Sequence, residues 1–83
     1  NTGLETARDY AAALLRTAAV ARALAASGRR IDLAGLDDKV GRLCARALDL
    51  PPPEGRELRP DLMQLRAELE SLAAVLGQPP PRP

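Results

Sequence analysis

Residues 58–76 read LRPDLMQLRAELESLAAVL, and a leucine recurs in this stretch at every third or fourth position. The six leucines are Leu58, Leu62, Leu65, Leu69, Leu72 and Leu76. This spacing puts all of them on one side of an α-helix. Such a narrow stripe is typical of a seam that is buried only when other helices pack nearly parallel or antiparallel to it. We therefore expect the rest of the chain to pack against this helix.

A second apolar seam precedes the first and follows the same rule. Its members, again three or four residues apart, are Leu33, Leu36, Val40, Leu43, Ala47 and Leu50. Asp32 stands in front of the seam and suits a helix N-cap. Gly35 and Gly41 each weaken a helix by about 1 kcal/mol relative to alanine. We expect these two glycines to make room for a close neighbour, the alanine face of the first helix.

The N-terminal stretch predicts an amphipathic helix whose apolar face is mostly alanine. Thr2 and Glu5 fit a capping box, which predicts a helix start, and Gly28 suits the left-handed residue that ends a helix. The apolar arc comprises Ala7, Tyr10, Leu14, Thr17, Ala18, Ala21, Leu24 and Ala25. Alanine buries little area. This face therefore either lets a neighbour approach closely or belongs to a weakly held helix that can detach.

Prolines mark the boundaries of the third helix. The run 51–53 is all proline, which predicts the end of the second helix and a reversal. Pro60 leaves two alternatives: a helix from about Glu54 that bends at Pro60, or a turn followed by a helix that begins at Pro60. We expect Gly77 to cap this helix and residues 79–83 to form an extended proline-rich tail.

These patterns predict an all-α fold, a three-helix antiparallel bundle with helices at about 4–27, 33–49 and 54 or 60 to 76. Residues 1–77 would form a single helical domain and residues 78–83 its proline-rich tail. The composition agrees, because the apolar residues of this 83-residue chain are almost all leucine and alanine, with one aromatic residue. Such a composition favours helix over sheet.

Charge and composition argue against several classes of partner. The formal net charge is only +1, and acids are interleaved with the arginines. That pattern creates no basic field, and a single aromatic side chain, Tyr10, gives no platform for stacking successive bases, so we expect no nucleic-acid partner. No apolar run approaches the length that spans a bilayer, so we expect no membrane partner. The single cysteine, Cys44, is consistent with a reducing compartment and also compatible with export, and we expect a cytoplasmic protein.

The residues that usually carry catalysis are missing or badly placed. The chain has no histidine, so the commonest general base and metal ligand are excluded. Cys44 has no histidine partner, and we expect it to be a structural, semi-buried thiol beside the second seam. Neighbouring acids such as Asp37 and Asp38 point in different directions on a helix. We therefore predict no enzyme, no catalytic or metal-binding residues and no cofactor.

What remains is apolar surface for another helix. The second and third helices present full seams, while the first supplies mainly alanine to cover them, so part of the leucine surface is expected to bind a partner. The candidate partner-binding residues are Leu36, Val40, Leu43, Leu62, Met63, Leu65 and Leu69. Each of the seam leucines could serve either the core or the interface, and Met63 could be core filler. The partner would be a helix of another protein docked in the groove. Alternatively, the chain is a structural homo-oligomer that pairs through the alanine face of its first helix.

Three short stretches resemble FliT-type flagellar export chaperones. These are residues 31–36 (IDLAGL), 50–52 (LPP) and 58–63 (LRPDLM), followed by the remaining leucines, within a region from about Val20 to Leu76. The resemblance implies an antiparallel helical bundle that holds an export substrate on an exposed apolar helical surface, without catalysis. This chain is shorter than such chaperones, and its proline-rich tail stands where they carry an additional C-terminal helix. A small bacterial adaptor or export chaperone is the role we expect.

Overall fold

A computed structural model describes residues 2–77, which form three α-helices and no strand. The helices are α1 (Thr2–Ala26), α2 (Ala34–Leu48) and α3 (Pro52–Leu76). The predicted all-α three-helix bundle is confirmed. The tail predicted at 78–83 lies outside the described residues, and the capping box predicted at Thr2 rests on a side chain that is also outside them.

Two buried clusters set the directions of the helices. In one, Leu14 of α1 and Leu65 of α3 pack with Leu43, near the middle of α2. In the other, Leu4 of α1 and Leu58 of α3 pack with residues at the end of α2 and just beyond it. Positions therefore advance together along α1 and α3 and in the opposite sense along α2. The antiparallel arrangement has α2 against two parallel neighbours.

The alanine face of α1 is buried within the chain. Ala7, Ala11 and Ala18 are at most 2% exposed, and the most extensive interhelical contact is between α1 and α3. Because alanine side chains are short, the two helices can approach closely, as one of the two sequence alternatives expected. These contacts do not favour the other alternative, a weakly held α1.

Ion pairs reinforce the α1/α3 contact. Arg22 of α1 reaches Glu68 of α3 with 2.7 Å between Nε and Oε1, and Arg8 approaches Asp61 at 3.4 Å. Arg8 also donates a hydrogen bond of 3.2 Å to the carbonyl oxygen of Glu57. This hydrogen bond is a further polar contact between α1 and α3.

The turn between α1 and α2 follows the predicted signals closely. Gly28 adopts a left-handed conformation with φ of 85°. The amide of Arg29 donates to the Leu24 carbonyl, and that of Gly28 to the Ala25 carbonyl, which is the Schellman pattern. At the start of α2 the Asp32 carboxylate accepts a 3.0 Å hydrogen bond from the amide of Ala34. The helix begins one residue later than predicted, so the N-cap is Leu33 and the prediction of Asp32 as N-cap is wrong.

The proline run both ends one helix and starts the next. Helix α2 ends at Leu48, and α3 begins at Pro52, so that prolines occupy its first two positions, where no helical N–H bond is needed. Pro60 lies inside α3, which continues through it to Leu76. Of the two sequence alternatives, the long helix is therefore the one observed, although it starts two residues earlier. Gly77 is its C-cap, as predicted.

The prediction for the glycines of α2 is wrong. A Cβ atom placed on Gly35 or Gly41 would meet nothing within 4 Å, and both residues are exposed. Neither glycine is packed against a neighbouring helix at its Cβ position. The two glycines therefore weaken α2 without improving its packing, a feature that matters for the behaviour of this helix.

Candidate functional site

An apolar groove runs between α2 and α3, the two helices that contact each other least. Its main part has a volume of about 450 Å³. It is lined by Val40, Leu43, Cys44, Leu62, Leu65, Arg66, Leu69, Glu70 and Ala73. A second part of about 280 Å³ extends it toward Leu33 and Leu76. The two parts share Val40, Leu69 and Ala73, so we treat them as one site, the α2/α3 groove.

The leucine stripe of α3 divides into two rows. Leu58, Leu65 and Leu72, seven residues apart, are buried in the bundle. The leucines between them, Leu62 and Leu69, are half-buried. The last leucine of this row, Leu76, is 44% exposed. Because a repeat of seven residues returns to nearly the same helix face, one row closes the core and the other faces the groove.

The candidate residues predicted from the sequence fall into three places. Half-buried residues in the walls are Leu36, Val40, Leu62 and Leu69. Leu43 and Leu65 are 1% and 3% exposed, so these two side chains belong to the core and form the floor of the groove. Met63 is 61% exposed and is not among the lining residues, which excludes it as core filler. Six of the seven candidates thus lie around one groove.

The prediction for Cys44 is wrong, because its thiol is exposed. Cys44 lies on the α2 wall of the groove, one turn before Leu48, which is 86% exposed. Gly41 precedes Cys44 by three residues on the same side of the helix. This side of α2 therefore carries small or apolar residues, although it is open to solvent.

The charged residues of α2 lie mainly toward α1 instead. Arg46 stacks over the ring of Tyr10, with its guanidinium carbon 5.6 Å from the ring centroid. Lys39 and Arg42 share this side of the helix, since they precede Arg46 by seven and four residues. The groove side keeps only Asp37, at the end near Leu76. The groove side of α2 is thus mainly apolar, whereas the side toward α1 carries most of the charged residues of this helix.

On the α3 side, the groove has a charged rim of balanced sign. Arg66 and Glu70 form an ion pair of 2.9 Å one turn apart, and both side chains are well exposed. Such a pair contributes little to folding. Its position above Leu65 and Leu69 leaves both charges available to the flank of a bound molecule.

Sequence reasoning missed several lining residues. Ala73, Leu33 and Leu76 line the groove together with the predicted leucines. Ala73 lies four residues after Leu69, so the helical spacing could have indicated it, but alanine carries little hydrophobic signal. Arg66 and Glu70 could have been found only as neighbours of the seam, because their charge makes them look like ordinary surface residues.

A smaller groove lies between α1 and α2, near the turn that joins them. Its volume is about 330 Å³, and Val20 and Ile31 provide apolar wall. Thr17, Asp32 and Lys39 also line it, so its wall is more polar than that of the α2/α3 groove. Its apolar surface is correspondingly less suited to a helix with aliphatic anchors.

Other kinds of site are not found in the part of the chain that the structure describes. Residues 2–77 contain no cluster of three or more histidine, cysteine or acidic side chains that could hold a metal ion. None of the three described helices is long and apolar enough to cross a membrane. In comparisons with known proteins, the chain matches no protein-family profile, no curated protein and no solved structure. The resemblance to FliT-type chaperones stays a prediction.

Proposed function

We propose that the chain is a non-catalytic protein-binding module that holds an amphipathic helix of a partner protein in the α2/α3 groove. The observation that carries the proposal is the split leucine stripe of α3. One row of leucines is used by the core, whereas Leu62, Leu69 and Leu76 form a second row that α2 covers incompletely. Apolar surface left at helical spacing is what a partner helix recognises.

The dimensions of the groove suit a helix of about four turns. From Leu62 to Leu76 the backbone of α3 rises by about 21 Å, at 1.5 Å per residue. A partner helix lying along it would place apolar anchors at positions i, i+4, i+7 and i+11. Because the walls are aliphatic and contain no aromatic side chain, leucine, isoleucine, valine and methionine are the anchors that we expect.

Charge at the two ends of the groove favours one orientation of the partner. Arg66 lines the main part of the groove on α3, whereas Asp37 lines its other end. A partner helix with an acidic residue near Arg66 and basic residues near Asp37 would complement this distribution. Exposed pairs contribute at most about 1 kcal/mol each, so charge selects the orientation and the leucines supply most of the affinity.

The same mechanism would serve a small bacterial adaptor or an export chaperone. Both roles require a partner helix to be held reversibly, without chemistry. The resemblance of residues 31–36 and 58–63 to FliT-type chaperones supports this reading, and we propose a cytoplasmic location on the same basis. The orientation and the anchors derived from the groove do not depend on the resemblance.

The single cysteine allows a direct test of the groove. Cys44 is exposed on the groove wall, so a maleimide carrying benzophenone can be attached there without a mutation. After irradiation in a lysate of the native source, crosslinked peptides are sequenced by mass spectrometry. We expect peptides from a partner segment with apolar residues spaced i, i+4 and i+7.

A matched control places the same label on the far side of the bundle. Ala12 of α1 is exposed and outside the lining of the α2/α3 groove. The double substitution Ala12→Cys with Cys44→Ser should lose the partner crosslinks. Equal capture from both positions, or crosslinked segments without helical apolar spacing, would contradict the proposal. Crosslinks only to this chain itself would favour the homo-oligomer.

A further inference from the structure

The three helices are held to the bundle very unequally. Helix α1 contributes five buried side chains to the core and α3 three, whereas Leu43 is the only buried residue of α2. Between described residues, every ion pair and side-chain hydrogen bond that crosses from one helix to another joins α1 to α3. Apart from apolar packing, α2 is held by the contact of Arg46 with Tyr10.

Helix α2 is also weak on its own. It has 15 residues, a length at which an isolated helix is marginal in water. Gly35 and Gly41 lower its helical stability further, and neither position gains a packing contact in return. If α2 leaves the bundle, little remains to keep it helical. Separation and unfolding of α2 are therefore expected to occur together.

The connections at both ends of α2 permit such an opening. Residues 27–33 join it to α1 through the left-handed Gly28, and residues 49–51 join it to α3. Loss of α2 would uncover Leu14 of α1 and Leu65 of α3, which now pack against Leu43. These lie beside Leu62 and Leu69, so the opened molecule presents a wider apolar surface than the closed groove.

We propose that α2 opens as a unit from a persistent α1/α3 pair. The use of this opening to admit a partner helix to the α2/α3 groove rests on the proposed function, but the opening itself does not. Regions with few buried apolar contacts open locally at a lower free energy than the whole domain unfolds. On this basis α2 is the movable wall of the groove and α3 its fixed wall.

Native-state hydrogen exchange of the free protein, followed by NMR, tests the proposal. We expect the central amides of α2 to share one protection factor, at least about ten-fold below those of the slowest amides in α1 and α3. The same protection factor in all three helices would mean that the bundle unfolds only as a whole and would overturn the proposal. Protection that varies from amide to amide within α2 would show local fraying instead, with the same consequence.

Two matched glycine substitutions make the test independent of absolute rates. Gly55, near the start of α3, also has open space around its Cβ position. Gly55→Ala stabilises α3 both before and after α2 opens. It should therefore raise protection in α1 and α3 by about five-fold and leave α2 unchanged. Gly41→Ala stabilises only the state with α2 folded, so it should raise protection by about five-fold in all three helices.

The outcomes separate this proposal from the proposed function. An increase in α2 protection by Gly55→Ala would show that α2 and α3 open together, and the opening proposed here would be wrong. No partner is present in the exchange experiment. A failure of crosslinking at Cys44 therefore leaves its result intact, and equal protection in all helices leaves the crosslinking result intact.

Discussion

At the scale of single residues, neighbouring leucines of one stripe have different tasks. Leu65 is 3% exposed beneath the groove, whereas Leu69, one turn later, is half-buried in its wall. Leu65→Ala should lower the free energy of unfolding by about 2–5 kcal/mol, because it leaves a cavity in the core. Leu69→Ala removes less buried area and should cost about half as much or less. Urea denaturation followed by circular dichroism measures both.

The two substitutions also differ in what they say about binding. Leu69→Ala should weaken crosslinking from Cys44 while the bundle stays folded, because Leu69 lies in the wall. Leu65→Ala changes the floor of the groove and should weaken crosslinking mainly through its loss of stability. Equal costs for the two substitutions would contradict the division of the stripe into a core row and a groove row.

Predictions for single residues succeeded where local backbone conformation determines the structure. They failed where the exposure of a residue depends on the packing of neighbouring helices. The left-handed Gly28 was predictable, because it follows from local backbone chemistry, whereas the N-cap predicted at Asp32 lies one residue later, at Leu33. The exposure of Gly41 and Cys44 was not predictable, because it depends on how far α2 stands from α3. A one-dimensional pattern does not contain that distance.

At the scale of helices, the α1/α3 pair should depend partly on its ion pairs. Glu68 is only 18% exposed and lies 2.7 Å from Arg22, while Arg66 and Glu70 are both more than 60% exposed. A double-mutant cycle with Arg22→Gln and Glu68→Gln should give a coupling of about 0.5–1 kcal/mol after allowance for solvent screening. The matched cycle at Arg66 and Glu70 should give about 0.3 kcal/mol or less.

Salt provides the control for both cycles. Raising the ionic strength to 1 M should reduce both couplings, and the more exposed pair should lose its coupling more completely. A larger coupling for Arg66 with Glu70 than for Arg22 with Glu68 would show that the cross-helix pair does not hold α1 to α3.

The extent of each helix was predictable to within about two residues, because periodicity and proline signals are local. The continuation of α3 through Pro60 was left open by the sequence. Leu58 is fully buried against α1, and its place in the stripe requires helix on both sides of Pro60. Tertiary burial of Leu58 therefore outweighs the local cost of a proline inside the helix.

At the scale of the whole molecule, the three-helix architecture followed from the two seams, but the ranking of contacts did not. The sequence predicted two leucine seams covered mainly by alanine without ranking the pairs, and the alanine-rich α1 makes the most extensive contact with α3. Short side chains allow close approach, and close approach lets Arg22 reach Glu68. The candidate groove exists because only one row of the α3 leucines is buried in the core. The other row faces α2, which covers it incompletely.

The burial of α1 against α3 determines which surface remains for self-association. The alanine face that the alternative homo-oligomer would use is buried inside one chain, since Ala7 and Ala18 are 0% exposed. A dimer would instead have to cover the exposed apolar residues flanking the α2/α3 groove, such as Leu48 and Met63. If that surface is kept for a partner helix, as we propose, light scattering over a dilution series should give the monomer mass of 8.8 kDa throughout.

A matched variant distinguishes the alternatives if a larger mass is found. Leu48 is 86% exposed, so Leu48→Glu should leave the fold intact while placing a charge beside the groove. A dimer that dissociates in Leu48→Glu would assign the groove to a second copy of this chain, and the proposed partner helix would lose its site. A dimer unaffected by Leu48→Glu would have to form elsewhere on the surface, and the groove would still be open to the partner.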